Sequence, residues 1–149
     1  MNETNAIESR PKTPVHLWIV GVLALLWSVM GAFDYLATKL ELESYMSKFT
    51  PEQLAYFYSI PAWMTVFWAF GVWGGFAGAI GLLLRKNWAV WAYVVSIAGL
   101  FVSTIYNFGI TDGAEVMGSE AVVFTIVIWI LALLLLWYSW AQAKRGVLS

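Results

Sequence analysis

Apolar positions in this chain gather into four long runs, at residues 15–37, 60–84, 88–107 and 121–141, separated by short polar stretches. A helix rises ~1.5 Å per residue, so ~20 residues cross a hydrocarbon core of ~30 Å. All four runs are long enough. The pattern predicts an all-α integral membrane protein, a four-helix transmembrane bundle occupying residues 15–142. A polar tail precedes it at 1–14, with Pro11 and Pro14 ahead of the first run, and a short tail follows at 143–149. The first run is longer than the ~7–15 residues of a signal-peptide core, and no small-residue cleavage site follows it. It reads as an uncleaved first helix.

The polar stretches carry their own signals. Arg85-Lys86-Asn87 is so short a link that the second and third spans form an antiparallel hairpin. In the loop at 38–59, Thr50-Pro51-Glu52-Gln53 reads as a helix start: Thr at the N-cap, Pro at the first helical position, Gln three residues after the cap. The helix it opens, over 51–58, carries Leu54, Tyr56, Phe57 and Tyr58 and is expected in the outer headgroup region. Pro61 marks the break before the second span. In the loop at 109–119, Asp112-Gly113 is a turn signal, and Ser119 is placed to cap the last span.

Charge sorts these loops by side. Arg10, Lys12, Arg85, Lys86, Lys144 and Arg145 fall on one side, and only Lys39 and Lys48 on the other. Glu41, Glu43, Glu52, Asp112, Glu115 and Glu120 lie with the latter pair. Because Lys and Arg in short loops stay cytoplasmic, both termini are expected inside. Trp18, Trp88, Trp91, Trp137 and Trp140 fall at the inner ends of spans, and Tyr35, Tyr45, Tyr56, Tyr58 and Tyr106 at the outer ends, as interfacial anchors do.

Composition removes most chemistry. The chain is 61% hydrophobic and 11% charged, against about 25% charged in soluble domains. It has no cysteine, so disulfides, iron–sulfur clusters, thiolate metal sites and thiol catalysis are excluded. One histidine, His16, cannot build a multi-histidine metal or haem site. No catalytic residue, metal site or cofactor is expected, and no nucleic-acid partner.

Three groups of residues remain as candidates. Gly71, Gly74, Gly75, Gly78 and Gly81 crowd the second span and include two overlapping G-x-x-x-G units. Such runs allow close helix approach in lipid. Matching small faces are Gly21, Ala24, Ser28 and Gly31 on the first span and Ser96, Gly99 and Ser103 on the third. Packing within the bundle, a homo-oligomer seam and a hinge are all compatible with it. Asp34 is the one acid plausibly inside a span, three residues beyond Gly31, and such acids usually face protein or water. With Tyr35, Tyr106, Asn107 and Glu120 it forms a candidate polar pocket near the outer leaflet; the competing view makes Asp34 and Glu120 helix-end residues in the headgroup zone. Trp27, Trp68, Trp73 and Trp129 fall near mid-bilayer, where an indole N–H has no lipid partner, so each is expected against a helix or cavity. Trp27, Trp68 and Trp73 are the candidate aromatic face for a ligand.

Several stretches resemble a family of small four-span bacterial inner-membrane proteins: His16-Leu17-Trp18-Ile19-Val20-Gly21, Gly31-Ala32-Phe33-Asp34-Tyr35, residues 50–58, Pro61-Ala62-Trp63, and Glu115-Val116-Met117-Gly118. Members often carry the label "sugar transporter". That resemblance implies a bacterial inner-membrane location. A looser similarity to DoxX-like membrane proteins rests on residues 79–100. Three functions follow as expectations. The first is a non-catalytic subunit that binds a larger membrane-protein partner or assembles with itself. The second is an oligomeric transport component for a small neutral solute such as a sugar. The third is a DoxX-like, quinone-linked membrane protein.

Overall fold

The computed structural model describes residues 12–149, so most of the expected tail at 1–14 lies outside the described residues. Among the described residues the chain is helical, without strands. The helices are α1 (Val15–Lys39), α2 (Glu43–Met46), α3 (Pro51–Tyr58), α4 (Ala62–Leu83), α5 (Trp88–Ile105), α6 (Gly113–Met117) and α7 (Ser119–Lys144). Four of them, α1, α4, α5 and α7, are long and apolar enough to cross a membrane. A π-helical turn, Tyr106–Ile110, extends α5. The bundle has an acidic end, with Glu41, Glu43, Glu52, Asp112, Glu115 and Glu120, and a basic end, with Arg85, Lys86, Lys144 and Arg145.

Local chemistry explains the starts. α1 and α4 open after Pro14 and Pro61, both in extended conformation. α3 has the expected capping box: Gln53 N–H donates to Thr50 Oγ1 and Thr50 N–H to Gln53 Oε1, both at 3.2 Å. Ser119 does not cap α7. It is the first helical residue, and Gly118 holds the N-cap position at φ 88°. The helix α6 replaces the turn expected at Asp112-Gly113.

The long helices pack in chain order, α1 on α4, α4 on α5, α5 on α7. The α4–α5 contact is the tightest, and small residues are the reason. A Cβ on Gly74 would stand 2.9 Å from Ser96 N and 3.0 Å from Ala92 O. One on Gly78 would meet the Tyr93 ring at 2.7 Å, and one on Gly81 would meet Ala89 Cβ at 2.8 Å. Gly71 lies opposite Leu100 and Gly99, and its carbonyl accepts from Ser96 Oγ at 2.7 Å. Gly75 sits between Ser96 and Ser28, where α4, α5 and α1 meet. The glycine seam is therefore occupied from within this chain.

On α1 the buried positions include Leu17, Gly21, Ala24, Ser28 and Ala32. Gly31 is not part of that face, since a Cβ there would meet nothing within 4 Å. The helix turns 100° per residue, so the inward row continues from Ser28 to Ala32 and passes Gly31 by.

α7 is held differently. Its backbone scarcely approaches α1. Side chains make the link: His16 Nδ1 lies 2.5 Å from the Tyr138 hydroxyl, and the Trp27 and Phe124 rings are 5.7 Å apart. Toward α5, Trp129 Nε1 donates to Thr104 Oγ1 at 2.9 Å. At the basic end Leu17, Leu82, Ala89 and Tyr93 form a buried cluster with Val147 and Leu148. The segment expected as a tail thus has two of its residues inside.

Candidate functional site

At the acidic end, side chains of the short helices tie onto the ends of the long ones. Asp34, near the end of α1, accepts a hydrogen bond from the Tyr45 hydroxyl in α2. The Tyr45 ring also stands edge-on to Phe33 and to Phe49, each at 5.6 Å. Burial pushes the Tyr45 phenol well above its ordinary value, and the hydrogen bond to Asp34 and the Asp34 charge push it the same way. Tyr45 is therefore a fixed donor that ties the first loop back onto the helix it left.

A second tie crosses between loops. The Tyr56 hydroxyl of α3 donates to Asn107 Oδ1 and lies 2.9 Å from Thr111 Oγ1. The π-helical turn and the Thr111 that ends it place both partners: Thr111 N–H reaches back to Tyr106 O at 3.0 Å, and Asn107 Nδ2 donates to Ser103 O at 2.8 Å. A wider turn of this kind re-aims the residues within it. Gly113 completes the tie, because a Cβ there would collide with the Tyr56 hydroxyl and with Asn107 O. Its φ is not positive, so close approach is what requires glycine here. Burial raises the Tyr56 phenol, the nearby Thr111 hydroxyl lowers it, and Tyr106 and Asp112 raise it further; upward prevails.

The five residues of the expected polar pocket are consequently divided. Asp34 pairs with Tyr45, and neither Asn107 nor Tyr106 hydrogen-bonds it. Asn107 belongs to the Tyr56 tie, and Tyr106 is buried with its ring 5.7 Å from Trp63. Tyr35 joins neither group; it lies edge-on to Trp68 at 4.7 Å and to Trp73 at 6.0 Å. Glu120 is exposed at the start of α7, beside an apolar groove of about 320 Å³ formed with Ser119, Val123, Phe124 and Val127. The three candidate tryptophans divide as well. Trp68 and Trp73 share Tyr35, whereas Trp27 faces Phe124. Trp73 is 37% exposed yet keeps Tyr35 of α1 as its neighbour, and Trp129 donates to Thr104.

A second cavity lies at this end, where the end of α1 meets α3 and α4. It holds about 110 Å³ and is lined by Thr38, Lys39, Glu41, Phe57, Tyr58, Ile60 and Trp68. Lys39 and Glu41 bring opposite charges to its rim without forming an ion pair, and Lys39 Nζ donates to Thr65 Oγ1 at 3.5 Å. Glu41 stands in the left-handed region at φ 54°. It follows the α1 terminus, where Leu42 N–H reaches Ala37 O at 3.0 Å and Glu41 N–H reaches Thr38 O at 3.2 Å. This is the hydrogen-bond pattern that usually selects glycine at that position. Of these lining residues, Trp68 alone is a ligand contact expected from the sequence. The others were not legible, because the cavity is assembled from three segments by the chain reversal after α1.

Among the described residues no group of three or more His, Cys, Asp or Glu is placed to hold a metal ion. No protein-family model matches the sequence, and neither does any curated protein or solved structure.

Proposed function

We propose that this is a multi-pass protein of the bacterial inner membrane, both termini cytoplasmic, that binds a protein partner within the bilayer and performs no catalysis itself. The supporting observation is the unequal burial of the four long helices. Within their most apolar stretches, α1, α4 and α5 bury 28%, 28% and 22% of residues, and α7 buries 0%. The glycine seam is already used, so it leaves α7 as the helix with the most surface for a partner helix, whether from a larger protein or from a second copy. Because the chain has no cysteine, single cysteines at Ile126, Ile130 and Leu134 report on this directly. Cross-linking in native membranes should give one discrete adduct from α7 and none from Leu23 or Met30 on α1. Equal adducts from both helices, or none from either, would remove the reading.

The acidic-end cavity favours a second reading, a transport component for a small neutral solute. Trp68, Phe57 and Tyr58 give it aromatic walls of the kind that stack on sugar rings. A sugar that binds here should protect the wild type against thermal unfolding and fail to protect Trp68→Ala.

A further inference from the structure

The basic end carries a charge arrangement that neither reading uses. After α7 the chain turns through Gly146 at φ 80°, with Val147 N–H donating to Gln142 O at 3.0 Å. That turn buries Val147 and Leu148 against Leu17, Leu82, Ala89 and Tyr93. Ser149 then pairs with the hinge between α4 and α5. Its N–H donates to Arg85 O at 3.0 Å, and its carbonyl accepts from Asn87 N–H at 3.3 Å. Arg85 holds φ 57°, and its Nη1 donates to Thr13 Oγ1 at 2.8 Å. Three segments distant in sequence, 12–13, 85–87 and 144–149, are thereby clasped together.

The clasp concentrates positive charge. Lys12, Arg85, Lys86, Lys144 and Arg145 are all exposed at this end. The Asp and Glu side chains of the described residues lie toward the other end: Asp34, Glu41, Glu43, Glu52, Asp112, Glu115 and Glu120. Trp88, Trp91, Trp137 and Trp140 are exposed around the cluster, and Lys144 Nζ lies 4.3 Å over the Trp140 ring.

We infer that this clasped basic end is a binding site for an anionic phospholipid, its headgroup phosphate held between Arg85–Lys86 and Lys144–Arg145. Like charges brought together repel one another, and a phosphate between them relieves that repulsion while accepting charge-assisted hydrogen bonds. The exposed tryptophans mark the level of headgroups and offer apolar faces beside them, which favours a lipid over a free anion. The buried Val147 and Leu148 fix the spacing, since they draw the pair that ends α7 toward the hinge. The site stands apart from the partner reading and needs no protein partner.

Titration of the detergent-solubilised chain with phosphatidylglycerol and with phosphatidylcholine of the same acyl chains, read by native mass spectrometry, tests this. Each basic side chain near an anionic surface contributes about fivefold in affinity. The wild type should therefore prefer phosphatidylglycerol by roughly tenfold or more, less so at high salt. Lys86→Gln with Lys144→Gln and Arg145→Gln should abolish the preference. Lys39→Gln with Lys48→Gln, at the acidic end, should keep it, and so should the charge-preserving pair Lys86→Arg with Lys144→Arg. Equal binding of the two lipids by the wild type overturns the inference. So does a preference that survives the triple substitution, or one lost equally in the charge-preserving pair. Displacement of the lipid by an equal concentration of inorganic phosphate overturns it as well, in favour of a free-anion site.

Discussion

Tyr45 and Tyr56 hold the acidic end through single hydroxyls, and their chemistry makes those ties sensitive to alkali. Both phenols are raised above 10.0 in the fold, with burial the first cause in each. A raised folded value means that the contribution is fully present below the unfolded value and is lost as pH climbs through the folded one. Thermal melts should be insensitive to these two groups from neutrality to about pH 10 and fall above it. Tyr45→Phe should lessen that alkaline decline, while costing about 1–3 kcal/mol at neutral pH because Asp34 loses its donor. Glu41 offers the opposite sign. A non-glycine residue in the left-handed region costs about 1–2 kcal/mol, and the entropy lost by putting glycine there is about 0.4–1 kcal/mol. Glu41→Gly should raise stability by roughly 0.5–1 kcal/mol in chemical denaturation.

At the scale of elements, the glycines of α4 face another helix, whereas Gly31 on α1 does not. Alanine is favoured over glycine in a helix interior by about 1 kcal/mol, so the sign of each substitution depends on what its Cβ meets. Gly74→Ala drives a methyl into the backbone of α5, within 3.0 Å of Ala92 O and Ser96 N, and should lower the melting temperature. Gly31→Ala meets nothing within 4 Å and should be neutral or stabilising. Comparable losses in both variants would show that glycine spacing alone, rather than the α4–α5 contact, governs stability. The existence of that seam was legible from the density of glycines in one apolar run. Its owner was not, since G-x-x-x-G reads the same for a neighbouring helix of the same chain and for another molecule. The α3 capping box was legible in full because every atom involved lies within four residues of chain. The ties from Asp34 to Tyr45 and from Tyr56 to Asn107 were not, since they join residues 11 and 51 positions apart.

For the whole molecule, α7 is the least buried of the four long helices. The Trp129–Thr104 hydrogen bond, the Trp27–Phe124 and His16–Tyr138 contacts and the buried Val147 and Leu148 hold it. Leu148→Ala should cost about 2–5 kcal/mol, the range for a buried leucine. Leu134→Ala, on the exposed face of α7, should cost far less in the same melt. Equal costs would mean that the segment after α7 does not bear on stability. The number of long helices, their rough limits, the hairpin at residues 85–87 and the separation of acids from bases were all determined by the sequence itself. They follow from run length and from the charge of adjacent residues, both of which are local properties. Which helices touch, why Asp34 and Asn107 have different partners, how residues 12–13, 85–87 and 144–149 come together, and which long helix is left uncovered were decided by the tertiary structure. Each depends on helix rotation and on contacts between residues far apart in the chain, and apolar periodicity carries little of that information when a helix is hydrophobic on every side.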